Sequence, residues 1–124
     1  MASPQNIFVF VYGTLRKTGR YHHLLKNADY IATTQTSPLF TLVNVGTFPG
    51  LIKSGTTAVT GEVYTVTQEM LMALDVLEDV PKLYAREQIT CINGITAWTY
   101  LLQPSHHKNL STIASGDYFL SHET

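Results

Sequence analysis

The sequence predicts an α+β domain built on a curved sheet or small barrel, and three observations carry that expectation. Short runs of β-branched and aromatic residues recur along the chain, one central stretch has the period of an amphipathic helix, and an Asn-Gly pair sits between two apolar runs. A chain of 124 residues with 44% apolar side chains has material for one compact core, so residues 1–124 are read as a single domain. So many strands in so short a chain, with one central helix, favour a curved sheet or small barrel over an open parallel sheet.

The run Ile-Phe-Val-Phe-Val-Tyr at 7–12 has the pattern of a strand covered on both faces, and Gly13 ends it. Residues 20–26 read as a short helix or turn, and 30–36 and 39–45 as strands separated by Ser37-Pro38. Residues 46–50 read as a rigid loop and 53–57 as a flexible one. A strand at 58–66 then feeds a helix at 68–77, with Thr67 as N-cap, Gln68-Glu69 in the first turn, and Leu71 and Leu74 as the apolar stripe. Beyond it, 84–92 and 95–102 flank Asn93-Gly94, the signature of a type I′ hairpin turn with positive φ at both central residues. Pairing Ile92 with Ile95 sets Ile89 opposite Trp98 and Cys91 opposite Thr96, with Ile89, Cys91 and Trp98 on the core face. Residues 105–124 are more polar, and Ser115-Gly116-Asp117-Tyr118 reads as a closing turn before a short apolar anchor.

The formal net charge is −1 and the eight basic residues are scattered, so the chain carries no electrostatic footprint for nucleic acid or an anionic membrane. A small neutral or zwitterionic partner fits better. Cys91 is the only cysteine, which rules out an intrachain disulfide and reads as a buried structural thiol in a reducing compartment. The apolar run at 7–11 is too short for a signal or a membrane span, and residues 1–6 lack a basic start, so the expectation is a soluble cytoplasmic protein.

Two places invite chemistry. Glu78 lies four positions after Leu74 and seven after Leu71, so at about 100° per residue it projects between the two core-facing leucines. Either the helix frays before Pro81 and Glu78 turns to solvent, or a half-buried carboxyl with a raised pKa serves as general base or acid. The second place is Val11-Tyr12-Gly13-Thr14-Leu15-Arg16, where a strand ending in glycine is either an ordinary turn or a nest of N–H groups for a carboxylate or phosphate.

Other residues read as structural. His22-His23 and His106-His107 diverge on a strand or a helix, so no metal site is expected. Thr14 lacks a His-Asp partner pattern and is a binding hydroxyl rather than a nucleophile. Tyr64, Trp98 and Tyr100 read as core, Arg86 as paired with Asp75 or Glu87 or in contact with a substrate carboxylate, and Glu62 as structural or solvent-facing.

Taken together, Val11-Tyr12-Gly13-Thr14-Leu15, Gly61-Glu62-Val63-Tyr64 and Leu74-Asp75-Val76-Leu77-Glu78 followed by Leu83-Tyr84-Ala85-Arg86 resemble the gamma-glutamylcyclotransferase-like family. The segment from Glu78 to Arg86 is most similar to its gamma-glutamylamine cyclotransferase branch. Phe48-Pro49-Gly50 and Ser115-Gly116-Asp117 are about equally similar to small bacterial members of unassigned role. The resemblance implies a small mixed β-barrel or strongly curved sheet with flanking helices. It also implies release of 5-oxoproline from a γ-glutamyl amine or peptide, without a cofactor. By the same resemblance Glu78 corresponds to the catalytic glutamate, Tyr12, Gly13, Thr14 and Leu15 to the substrate-binding loop, and Tyr84 to a tyrosine beside the pocket.

An α-amine that is mostly protonated at neutral pH, titrating near ~8, needs a base before it can cyclise, which suits a carboxylate in apolar surroundings. A non-catalytic module binding another small acid in the same pocket is the rival class, since fold does not fix function. A related lyase or deprotecting enzyme of biosynthesis is a third. The sequence identifies neither the leaving amine nor the oligomeric state.

Overall fold

The computed structural model describes residues 7–120. Eight strands and one α-helix form the domain: β1 (Ile7–Val11), β2 (Asp29–Gln35), β3 (Phe40–Asn44), β4 (Pro49–Thr57), β5 (Thr60–Val66), α1 (Gln68–Leu77), β6 (Tyr84–Thr90), β7 (Thr96–Leu102) and β8 (Ser111–Thr112). Short 3₁₀ turns occupy His22–Leu25 and Pro104–His106. Of the two forms expected, the sheet is the strongly curved one and does not close into a barrel. Among the described residues a single α-helix flanks it.

The sheet runs β2-β5-β1-β7-β4-β3-β8, with β6 also on β7. β7 explains the curvature. Its whole length pairs antiparallel with β6, from Tyr84↔Leu102 to Thr90↔Thr96. Its opposite edge is shared by two parallel neighbours, β1 at Val9↔Trp98 and β4 at Leu51↔Leu101. The sheet therefore forks where β1 and β4 part. Tyr12, just past β1, fills the fork: its hydroxyl donates to the Tyr100 carbonyl at 2.6 Å and accepts the Leu51 N–H at 3.1 Å.

Side chains alternate across β1 as the continuous apolar run requires. Phe10 and Tyr12 join a core with Leu42, Leu51, Val63 and Leu101. Val9 and Val11 join another with Tyr64, Val66, Leu71, Leu74 and Tyr100, under the helix.

Two expectations need correction. The loop at 46–50 is shorter than read, because Pro49 and Gly50 already pair in β4 with Asn44 and Val43. The segment at 53–57 lies within β4 rather than between strands. It bulges outward, since Thr41 pairs with Ile52 and the adjacent Phe40 with Thr57.

The hairpin register also differs by one residue. Cys91 N–H bonds to the Ile95 carbonyl and Gly94 N–H to the Cys91 carbonyl, and of Asn93 and Gly94 only Gly94 has positive φ, at 91°. This is a three-residue loop in which the turn ends on a left-handed glycine, not a type I′ turn. Ile89 consequently faces Ala97, and Trp98 faces Gln88. Ile89 and Cys91 keep the core face, while Tyr100 packs in the core under the helix and Trp98, two residues before it on β7, is half-buried and shares its face rather than theirs.

Candidate active site

The helix carrying Glu78 begins as its sequence dictates: the Thr67 hydroxyl accepts the Met70 N–H at 3.0 Å, and Leu71 and Leu74 are buried. Its end does not fray. Val80 N–H bonds to the Asp75 carbonyl and Asp79 N–H to that of Val76, both at 3.1 Å, with Asp79 at φ 53°. That is the Schellman arrangement, with an aspartate where glycine is commonest. Locked as the last residue before this cap, Glu78 is half-buried and faces the sheet.

Its carboxyl meets the fork. One hollow is lined by Glu78, by Val11 at the end of β1 and Tyr12 to Leu15 of the loop that follows, by Phe48 of the β3–β4 turn and Pro49 at the start of β4, and by Tyr84 and Tyr100. Burial alone pushes the Glu78 carboxyl up from its ordinary 4.5 to about 7. Burial and then the neighbouring charges, Glu78 among them, hold the Tyr12, Tyr84 and Tyr100 hydroxyls well above the usual tyrosine range. All three stay protonated and each is engaged as a donor: Tyr12 to the Tyr100 carbonyl, Tyr84 to the Pro49 carbonyl at 2.5 Å, and Tyr100 to Asp75 Oδ1 at 2.8 Å. Among the described residues no side chain donates to the Glu78 carboxylate. The group is left to exchange its proton with whatever enters the hollow.

The loop opposite is built for close approach. A side chain at Gly13 would place a Cβ 2.5 Å from Pro49 Cγ, so glycine lets the β3–β4 turn lie directly on the loop. The Gly13 carbonyl accepts the Arg16 N–H at 3.0 Å and the Thr14 carbonyl accepts the Tyr21 N–H at 2.9 Å. The N–H groups of Gly13, Thr14 and Leu15 bond to no acceptor among the described residues. Such a turn can hold a carboxylate or an oxyanion.

Behind the loop lies a buried ionic cluster. Arg16 Nε donates to Glu62 Oε2 at 3.2 Å and Arg16 Nη1 to Asp117 Oδ1 at 2.8 Å, and the guanidinium lies 4.3 Å from the centre of the Phe119 ring. Glu62 Oε1 also accepts the Lys17 N–H and the Tyr64 hydroxyl, each at 2.8 Å. Glu62 thus takes the structural one of its two expected roles, as an anchor for the loop.

The residues expected at the site, Tyr12, Gly13, Thr14, Leu15, Glu78 and Tyr84, all line this one hollow. Leu15 contributes backbone, its side chain being buried in the core. Sequence reasoning missed Tyr100, Phe48 and Pro49 as walls of the site, and Asp117 as a partner of Arg16 behind the loop. The Phe48-Pro49-Gly50 and Ser115-Gly116-Asp117 runs, which carry part of the family resemblance, were the available signal. Arg86 donates to Asp75 at 2.8 Å and stacks over Trp98, outside the hollow. Cys91 is buried, and its burial raises the thiol to about 11, which suits packing rather than nucleophilic attack. His22 Nδ1 and His107 Nε2 meet the Leu15 and Leu102 carbonyls. Among the described residues no three His, Cys, Asp or Glu gather as metal ligands, and no helix is long and apolar enough to cross a membrane.

Fold and site together define a small α+β domain with a half-buried glutamate at the fork of a curved sheet. The chain belongs to the gamma-glutamyl cyclotransferase, AIG2-like family, whose description matches residues 9–120. A Vibrio cholerae protein that carries the gamma-glutamylcyclotransferase name provisionally is 43% identical over 110 residues, covering 89% of this chain and 93% of its own. Gamma-glutamylaminecyclotransferase A of Danio rerio is 40% identical over 93 residues, which is 67% of this chain and 57% of that one. The crystal structure of a mouse AIG2-like protein superposes with a TM-score of 0.76 at 27% identity, covering 90% of this chain and 87% of the mouse chain.

Proposed function

We propose that this chain cyclises a γ-glutamyl amine or γ-glutamyl peptide to 5-oxoproline and a free amine, with Glu78 as base and then acid. The observation that carries the reading is the Glu78 carboxyl, half-buried in the hollow and lifted to about 7 by burial. At neutral pH such a group is divided between its two forms and can both take and return a proton. Family membership and the names of the relatives support the same chemistry.

Glu78 takes a proton from the substrate α-ammonium, and the freed nitrogen attacks the γ-carbonyl carbon of its own chain. Gly13 to Leu15 supply N–H groups for the α-carboxylate or for the oxyanion that forms. Protonated Glu78 then delivers its proton to the departing nitrogen as the old C–N bond breaks. Once bonded to the γ-carbon the attacking nitrogen gives up a second proton, which Glu78, again ionised, takes and passes to the released amine. Two protons leave the nucleophilic nitrogen, two are added to the departing one, which leaves as an ammonium, and neither water nor a co-reactant enters the balance. Because nucleophile and electrophile belong to one molecule, the hollow's main task is to hold the substrate folded in an attack geometry. Tyr12, Tyr84 and Tyr100, engaged through their hydroxyls, wall that shape. Incubation of the protein with γ-glutamyl amines and γ-glutamyl amino acids, with 5-oxoproline measured, tests the reading. Tight binding of these compounds with no 5-oxoproline formed would replace it with a binding module.

A further inference from the structure

A separate hollow of about 520 Å³ opens between the 3₁₀ turn at His22–Leu25 and the paired strands β2 and β5, a size that suits a small molecule. It shares no lining residue with the hollow at Glu78. The geometry points to this hollow as a second binding site, for a small aromatic carboxylate, whatever reaction the Glu78 hollow carries out.

The charges that line it are Lys17, Lys26 and Glu62. Glu62 is already spent: Oε2 accepts Arg16 Nε, and Oε1 accepts the Lys17 N–H and the Tyr64 hydroxyl. Asp117, the other carboxylate on Arg16, lies outside the lining, and so does Asp29, which is exposed. Among the described residues neither the Lys17 nor the Lys26 ammonium makes an ion pair. Both lysines are exposed, so they stand at the rim, where a carboxylate can meet them and keep part of its water. Deeper in, the surface is aromatic and aliphatic. The buried Tyr64 ring has the His22 ring at 5.8 Å and the Tyr30 ring, edge-on, at 5.7 Å, with Leu25 buried beside them. The two tyrosine hydroxyls are engaged, Tyr64 with Glu62 and Tyr30 with Thr33 Oγ1 at 2.7 Å, so what a ligand meets is ring surface. A flat ring satisfies that surface by offset or edge-to-face contact. A ring bearing an ammonium would instead face two like charges. The site also backs onto the loop, because His22 Nδ1 meets the Leu15 carbonyl at 3.0 Å and Glu62 holds the Lys17 N–H.

Three probes of graded chemistry test the assignment on the full chain: phenylacetate, benzylamine, which reverses the charge, and acetate, which lacks the ring. Titrations followed by amide NMR should show phenylacetate shifting signals from residues 17–33 and 62–64. Its Kd should be about tenfold or more lower than that of either control, as partial burial of a ring beside two cations requires. Glu78→Gln should leave that Kd unchanged. Lys17→Gln with Lys26→Gln, both at exposed positions, should raise it by about threefold to tenfold, the effect of losing two partly solvated ion pairs. Equal binding of benzylamine, a Kd untouched by the paired lysine substitutions, or no shift at millimolar phenylacetate would each overturn the site. Shifts confined to Gly13–Leu15 and Glu78 would place the probe in the other hollow and overturn it as well.

Discussion

In the proposed reaction Glu78 joins stability to chemistry, because the burial that lifts its carboxyl to about 7 also makes its ionised form costly. In the unfolded chain the group ionises near its ordinary 4.5, so below that pH both states are protonated and no penalty arises. As pH rises from about 4.5 to about 7 the unfolded state loses the proton first, and native stability falls across that window; above it the cost is complete. A shift of this size corresponds to about 3–4 kcal/mol. Glu78→Gln removes the ionisation and should be more stable than wild type by a margin that opens between those pH values and is then flat, as followed by urea unfolding. The same variant cannot carry the proton. Its 5-oxoproline release should fall by about a hundredfold or more, with a smaller change in ligand affinity, since general acid–base catalysis contributes roughly 10²–10⁴-fold. In the wild type, kcat/KM should fall with acidification below about 7, where Glu78 becomes protonated and ceases to be a base. Equal activity in wild type and Glu78→Gln would defeat the mechanism.

At the level of elements, local signals decide what the sequence reveals. The helix was legible from its first residue, because a Thr N-cap and an i, i+3 leucine pair act within the segment. Its closure was not, since nothing local marks Asp79 as the residue to take a left-handed conformation. The hairpin shows how narrow the margin is: Asn-Gly announces a turn, but whether Asn93 also takes positive φ decides the register and hence the face of every side chain on β7. Gly94→Val should cost about 1–2 kcal/mol, the penalty for a β-carbon in the left-handed region. Asn93→Ala should cost clearly less, because Asn93 is not in that region and loses only its 3.2 Å bond to the Ile95 N–H. Comparable losses for the two substitutions in chemical denaturation would restore the type I′ turn. Tyr100 and Pro49 as walls of the site were out of reach for another reason. They meet Glu78 only through the fork at β7, and that fork depends on strand pairings far apart in sequence.

The whole molecule is held to its site by one cluster. Arg16 belongs to the loop after β1, Glu62 to β5, and Asp117 to the segment that follows β8, so this guanidinium draws the start, middle and end of the chain together behind Gly13 to Leu15. Arg16 and Glu62 are only 7% and 6% exposed, which makes each charge dependent on the other. Arginine suits the position because its planar fork can reach two carboxylates in fixed directions while its flat face covers Phe119. Arg16→Met leaves the Glu62 carboxylate with the Lys17 N–H and the Tyr64 hydroxyl but no cation, and should destabilise the fold by about 3–5 kcal/mol, the usual result of stripping one partner from a buried pair. Adding Glu62→Gln removes the orphaned charge. The double variant should therefore recover part of the loss, giving a coupling of about 0.5–3 kcal/mol in a double-mutant cycle read by thermal unfolding. The loop's geometry should suffer with the cluster, so both variants that remain folded should show a raised KM for the γ-glutamyl substrate beyond any change in kcat, because the N–H groups of Gly13 to Leu15 lose their fixed positions. Additive stabilities together with an unchanged KM would mean that the loop is held by the Pro49 contact and its own turn bonds, and that the cluster only closes the chain.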